Sequence, residues 1–88
     1  MPDALNIGVN YEIHLDKIVI IDENERIEVP MSKINCGFLA LNTFYIEVEN
    51  PEGSEKKFTY YILKTDNPIE LYQCLIDLDI DVIRIYTR

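Results

Sequence analysis

The residues that could act as nucleophiles or general bases are few in this chain of 88 residues. His14 is the single histidine, and it could form a thiol–imidazole dyad only with Cys36 or Cys74. Such a dyad also needs an orienting group and oxyanion donors, and no local signature in the sequence supplies them. We therefore expect His14 on the polar face of a strand and both cysteines reduced and largely buried.

The spacing of potential ligands also argues against a metal or phosphate site. Structural zinc needs four ligands at recognisable spacing, whereas the histidine and the two cysteines are far apart in the chain. Residues 77–81 have the D-x-D-x-D opening of a calcium loop, but Val82 replaces the required Gly and Arg88 replaces the final Glu. The glycines are scattered, so the chain has neither a P-loop nor a dinucleotide-binding fingerprint. The sequence predicts no cofactor, no metal and no catalytic site.

Acidic side chains outnumber basic ones by sixteen to eight, which gives a net charge of −8. Contacts with phosphate or anionic lipid need Lys and Arg, so direct binding to nucleic acid or to a membrane surface is disfavoured. The longest apolar run, residues 18–21, is much shorter than the roughly 20 residues of a membrane helix, and the N-terminus lacks a signal-peptide pattern. We expect one cytoplasmic domain over residues 1–88. Its charge either favours a basic protein partner or serves solubility alone.

Alternation of apolar and polar residues predicts the strands that must position these side chains. It marks residues 7–15 as one half-buried strand, and residues 17–22 and 26–29 as a hairpin with a three-residue loop. The expected pairs of this hairpin are Asp22 with Arg26, Ile21 with Ile27 and Val19 with Val29. Residues 31–42 fit either a buried strand with a loop, which we favour, or a short helix.

A second hairpin carries the strongest signal in the sequence. Residues 43–50 and 56–65 flank a turn-forming loop at residues 51–55. With five residues in this loop, the predicted apolar pairs are Val48 with Phe58, Ile46 with Tyr60 and Phe44 with Ile62. The opposite face then pairs Glu49 with Lys57, Glu47 with Thr59 and Tyr45 with Tyr61.

A helix and a strand are predicted at the end of the chain. Asn67 is a natural N-cap and Pro68 a favoured first helical residue, so the helix is expected over about residues 68–78. Its apolar stripe, packed on the sheet, is formed by Leu71, Cys74, Leu75 and Leu78. Residues 80–87 then alternate as a final strand. The predicted fold class is α+β, a mostly antiparallel sheet of five to seven strands with one helix.

The candidate binding residues follow from these registers. Tyr45 and Tyr61 are predicted as paired aromatics on a face that also carries Glu47 and Glu49. Aromatic residues with a charged rim are typical of a protein interface, unless the helix or another strand covers this face. The candidate set extends to the last strand with Arg84 and Tyr86.

The leading functional hypothesis is a small acidic protein-binding module or inhibitor that blocks or recruits a basic partner without catalysis. A second hypothesis is a self-assembling subunit that pairs through its last strand as a sheet edge. A third is a small-molecule binder with a pocket lined by tyrosines, His14 and Cys36. An acidic binding face would require the acidic groups at residues 23–25, 52–55 and 77–81 to lie together.

Overall fold

The computed structural model describes residues 4–85, so Tyr86 of the candidate set lies outside the described residues. Within this range the chain forms eight strands, one α-helix and a single 3₁₀ turn at Met31–Lys33. The strands are β1 (Asn6–Ile7), β2 (Tyr11–Ile13), β3 (Lys17–Asp22), β4 (Glu25–Pro30), β5 (Ile34–Ala40), β6 (Thr43–Glu49), β7 (Phe58–Leu63) and β8 (Val82–Ile85), and the helix is α1 (Pro68–Asp77).

The strands form two four-stranded sheets. Sheet A has the order β1-β2-β3-β4 and sheet B the order β7-β6-β5-β8. Every pair is antiparallel except β5 and β8, which run parallel. The α+β class with mostly antiparallel strands, one helix and a final strand is confirmed. The structure differs in having eight strands divided between two sheets, where we expected five to seven in one.

The first segment is a tight hairpin and not the single predicted strand over residues 7–15. The chain turns at residues 8–10, so that β1 and β2 pair with each other. Gly8 permits this turn, because a Cβ there would lie 2.0 Å from the Tyr11 ring and 2.6 Å from the carbonyl oxygen of Lys64. The Asn10 side chain accepts from the Lys64 amide and donates to the Ile62 carbonyl, both at 2.8 Å, which fastens this turn to β7.

The predicted register of the β3–β4 hairpin is wrong by one residue. Asp22 pairs with Glu25 and Ile21 with Arg26, so the loop has two residues, and its first residue, Glu23, has a φ of 55°. β3 is apolar on both faces, so its own pattern fits either register. Pairing of β3 with β2 determines the register, because it directs Ile18 and Ile20 to the core and β4 must supply apolar partners for them. Six apolar side chains then share one face of sheet A toward the core: Tyr11, Ile13, Ile18, Ile20, Ile27 and Val29.

One hydrophobic core joins both sheets and the helix. Sheet B contributes Phe44, Ile46 and Leu63, and α1 contributes Leu71 and Leu75, which are fully buried. The preferred interpretation of residues 31–42 is confirmed, since a 3₁₀ turn leads into β5 and a tight turn follows it. Within residues 4–85, no helix is long and apolar enough to cross a membrane.

The helix forms with the predicted limits and connects two parallel strands. The Asn67 side chain accepts from the Glu70 amide, and α1 ends at Asp77, one residue before the predicted end. β5 and β7 both run antiparallel to β6, and β8 runs parallel to β5, so β7 and β8 point the same way. The segment β7–α1–β8 is therefore a crossover between the two edges of sheet B.

Candidate functional site

The outer face of sheet B, opposite the core, carries an unusual number of exposed apolar side chains. Residues directly paired across strands share a face, which here gives a row of Ile83, Phe38, Tyr45 and Ile62 and a row of Cys36, Glu47 and Tyr60. A third row contains Ile85, Ala40 and Thr43. Tyr60, Ile83, Ile62 and Ile85 are 53%, 47%, 41% and 40% exposed. We call these three rows the outer face.

Glu47 lies near the middle of the outer face and is only 7% exposed. Its Oε2 accepts a 2.8 Å hydrogen bond from the Tyr60 hydroxyl, and its Oε1 accepts from the Asn35 side-chain amide. The ion pairs formed among residues 4–85 do not include Glu47. A carboxylate has about four acceptor positions, so this one retains capacity for a further donor.

The Glu47 carboxylate also acts on its neighbours. Its hydrogen bond with the Tyr60 hydroxyl raises the pKa of that tyrosine, and burial adds to the effect. Burial, followed by the charge of Glu47, raises the pKa of the Cys36 thiol. Both groups are consequently held in their protonated, neutral forms, and the Cys36 thiol is not activated as a nucleophile.

The structure brings together some predicted site residues and separates others. Tyr45, Glu47 and Glu49 share the outward face of β6, and Glu49 is exposed at its end. Tyr61 lies on the opposite face, paired with Ile46 and packed against the core. The predicted pairing of Tyr45 with Tyr61 is therefore wrong.

The cause is a register shift of one residue in the β6–β7 hairpin. Glu47 pairs with Tyr60, Tyr45 with Ile62, and Glu49 with Phe58. The Asn50 amide donates to the Lys57 carbonyl at 2.9 Å, and the Asn50 side chain bonds to Lys56 and Thr59, which makes the loop six residues long. β7 is apolar on both faces, so alternation alone does not distinguish Tyr60 from Tyr61.

Arg84 is on β8, as predicted, but its side chain lies on the helix side of sheet B. It pairs with Leu39, whose side chain packs against the core, and its guanidinium lies 5.1 Å from the centre of the Tyr72 ring. A cation at this distance from an aromatic face is attracted by the ring quadrupole.

The histidine and the two cysteines that could form a thiol–imidazole dyad lie on different elements of the structure. His14 Nε2 lies 3.2 Å from Glu12 beside sheet A, whereas Cys36 belongs to sheet B. Cys74 is half-buried on α1, and burial followed by the charge of Asp77 raises its pKa. A groove of about 840 Å³ at the end of sheet B includes Tyr72, but neither His14 nor Cys36 lines it.

The D-x-D-x-D segment has a structural role at the end of the helix. Asp79 has a φ of 62°, its amide donates to the Ile76 carbonyl at 3.0 Å, and the Ile80 amide donates to the Leu75 carbonyl at 2.9 Å. These bonds form a Schellman motif that ends α1. Among the described residues, no three His, Cys, Asp or Glu side chains are grouped to hold a metal ion.

Comparison with known proteins gives no matching family model and no significantly similar curated protein.

Proposed function

We propose that the protein is a small acidic protein-binding module whose outer face binds a basic partner and blocks or recruits it without catalysis. The observation that carries the proposal is the group of four large apolar side chains, each at least 40% exposed, on one sheet face. They lie in two pairs, on β7 and on β8, and together present on the order of 350 Å² of apolar surface, the size of the largest apolar patch on a typical monomer, which is often functional.

The chemistry within the outer face favours a cationic partner. Glu47 is held by two hydrogen bonds and has no basic partner among residues 4–85, and Glu49 is exposed beside it. An Arg or Lys of the partner would pair with this carboxylate while apolar residues cover Tyr60 and Ile83. Interface hot spots are enriched in Tyr and Arg, so a tyrosine on this side and an arginine on the partner's side fit such a site.

The acidic groups elsewhere contribute long-range attraction and do not form a single contact face. Glu23 is two residues after Ile21. The Ile21 amide donates to the Asn10 carbonyl, and the Asn10 side chain donates to Ile62 near the end of β7, so Glu23 lies near that end of the strand. Glu52 and Glu55 lie in the loop that precedes β7, at the other end of that strand. A net charge of −8 spread in this way speeds association with a basic protein and makes it dependent on salt.

Affinity capture with matched variants tests the proposal. The double variant Tyr60→Ser and Ile83→Ser removes apolar contact from the outer face, whereas Leu15→Ser alters a residue that is 76% exposed between β2 and β3. We expect a basic protein from the source cell to be retained by the wild type and by Leu15→Ser, less at high salt, and lost with the double variant. Equal retention by all three proteins would contradict the proposal.

A second candidate function, self-assembly, is favoured by the position of β8. This strand is an edge of sheet B, and Ile83 and Ile85 are exposed on it. The opposite edge, β7, is partly covered by the bonds from Asn10. Edge strands with unpaired backbone groups can pair with a second copy. A dimer mass at micromolar concentration would support this function, and a monomer would exclude it.

A further inference from the structure

A groove of about 840 Å³ lies at the end of sheet B, where β7 leaves the sheet for α1. It is bordered by the β5–β6 turn, the last residues of β7 and the first two turns of α1. Its size falls within the range of pockets that hold small molecules, and it is separate from the centre of the outer face. We call it the end groove.

The lining of the end groove is largely apolar, and two of its residues are unusually exposed. Phe44 is buried at the groove, whereas Ile69 is 81% exposed and Leu41 is 71% exposed. Leu41 also has a φ of 58°, a left-handed conformation that costs an L-residue about 1–2 kcal/mol and normally selects Gly or Asn. Because the Leu41 side chain is exposed, its packing contacts offset little of this conformational cost. Packing within the chain therefore does not account for a leucine at this position.

The charge of the end groove is opposite to that of the molecule. Among residues 4–85, its lining includes Lys64 and Arg84 but no Asp or Glu, although sixteen of the 88 residues are acidic. Lys64 forms no ion pair within residues 4–85. Thr43 and Thr65 add hydroxyl groups that can donate hydrogen bonds. The groove therefore offers donors and positive charge around an apolar surface.

The two cations are at opposite ends of the groove. Lys64 follows β7 and Arg84 is on β8, and these strands are the two edges of sheet B. Three strand spacings separate the edges, which is about 14 Å. An elongated molecule can thus place an acidic head at Lys64 and extend an apolar body over Phe44 and Ile69.

We infer that the end groove binds a small amphipathic anion with one acidic head and an unbranched apolar body. Lys64 pairs with the head, and Leu41 and Ile69 cover the body. Ile62 and Thr43 line both the end groove and the outer face, so this inference is tested at Lys64 and Ile69, which belong to the groove and not to the three rows of the outer face.

Decanoate, used below its micellar concentration, is a suitable probe. We expect NMR titration to shift the resonances of Leu41, Thr65 and Ile69, with acetate producing no saturable shift because it lacks the apolar body. Decylamine should bind at least about tenfold more weakly than decanoate, since its charge is repelled by Lys64.

Two variants, each with a matched control, test whether decanoate binds in the end groove. Lys64→Gln should raise the Kd for decanoate about tenfold, whereas Lys56→Gln, in the β6–β7 loop, should change it by less than about twofold. Ile69→Glu places an acid in the end groove and should also raise the Kd at least about tenfold. Ile76→Glu, on the same helix but outside the groove lining, is its control.

The inference is overturned if decanoate and decylamine bind equally, if the shifts centre on the outer face, or if each variant behaves like its control. Ile69 and Lys64 are both exposed, so their variants are expected to fold, and a thermal unfolding curve for each variant verifies this.

Discussion

At the scale of single residues, two tyrosine hydroxyls form hydrogen bonds in the folded protein that affect its stability at high pH. Tyr11 is fully buried and its hydroxyl donates to Asn6 Oδ1 at 2.8 Å, while Tyr60 donates to Glu47 on the outer face. Burial of Tyr11 and the hydrogen bond from Tyr60 to the Glu47 carboxylate raise the pKa of each tyrosine, so the folded state binds these two protons more strongly than the unfolded state does.

Alkaline pH should destabilise the protein through these two tyrosines. Burial raises the pKa of Tyr11 above 10.0, and the hydrogen bond to Glu47 raises the pKa of Tyr60 above the same value. A raised pKa gives stability that is complete below about pH 10 and is lost as the pH rises through the folded-state value. Urea denaturation between about pH 8 and 11 should show this decline, and Tyr60→Phe should reduce it. A free energy of unfolding that stays constant over this range would contradict the prediction.

Leu41 should show opposite effects on stability and on ligand binding. Leu41→Asn relieves the left-handed backbone at φ 58° and should raise the free energy of unfolding by about 0.5–1 kcal/mol. The same change should weaken decanoate binding severalfold, because it removes apolar contact at the end groove. Urea denaturation and NMR titration measure the two effects, and Leu15→Asn, at a similarly exposed leucine, is the control. A loss of stability in Leu41→Asn would show that this side chain serves packing.

At the scale of secondary-structure elements, short turns decide how the strands are arranged. The β1–β2 turn brings sheet A against the end of β7, where the Val9 amide donates to the Lys64 carbonyl at 2.8 Å. Asp79 ends α1 and directs the chain into β8 along β5. The first turn depends on Gly8, because neighbouring atoms leave no space for a Cβ, and the second depends on the left-handed backbone of Asp79.

Gly8→Ala should be strongly destabilising. Its Cβ would overlap the Tyr11 ring and the backbone of Lys64, so the β1–β2 turn must move away from β7. We expect the free energy of unfolding to fall by about 1–3 kcal/mol. Gly37→Ala is the matched control, because the nearest atom to its new Cβ is 3.5 Å away, an ordinary contact. Equal losses in the two variants, measured by urea denaturation, would show that Gly8 has no special role.

Asp79→Gly should stabilise the helix end. Asp79 has a φ of 62° in the Schellman motif, and glycine adopts this conformation without steric cost. The expected gain is about 0.5–1 kcal/mol in the free energy of unfolding, whereas Asp79→Ala should give no gain. Calcium should leave the unfolding midpoint of the wild type unchanged. A midpoint that rises with calcium would indicate a metal role for residues 77–81 instead.

At the scale of the whole molecule, charge and apolar surface act over different distances. The net charge of −8 acts at long range, while the apolar outer face acts only on contact. Of the described residues, those that line the end groove include two cations and no acid. The two proposals therefore assign a basic protein and a small anion to adjoining parts of the molecule, which share Ile62 and Thr43.

The position of a charge should determine its effect on the association rate. Glu49→Lys changes the charge beside the outer face and should lower the association rate of the captured basic partner by roughly two- to tenfold at low salt. Glu23→Lys makes the same change in the β3–β4 turn of sheet A and should have a smaller effect. Stopped-flow measurements at two salt concentrations compare the association rates of the two variants. If both reversals slow association equally, the outer face is not the site of contact.

The sequence by itself determined the local elements of this protein. The N-cap at Asn67 with the apolar stripe of α1 predicted the helix to within a residue of its observed end, and alternation located most strands. Glu47 and Glu49 were identified as sharing a face because they are two residues apart on one strand. These properties depend on neighbours in the chain, which the sequence shows directly.

Only the tertiary structure decided the registers, the division into two sheets and the location of the end groove. β3 and β7 are apolar on both faces, so a register shift of one residue still places apolar side chains opposite their partners in either hairpin. Alternation alone therefore does not select the register. Contacts with β2 determine the register of the β3–β4 hairpin, and contacts with the core determine that of the β6–β7 hairpin. In the latter register Tyr60 lies on the outer face and Tyr61 packs against the core. The end groove likewise joins residues of β6, β7, α1 and β8, and their proximity depends on how the chain crosses sheet B, which no local pattern encodes.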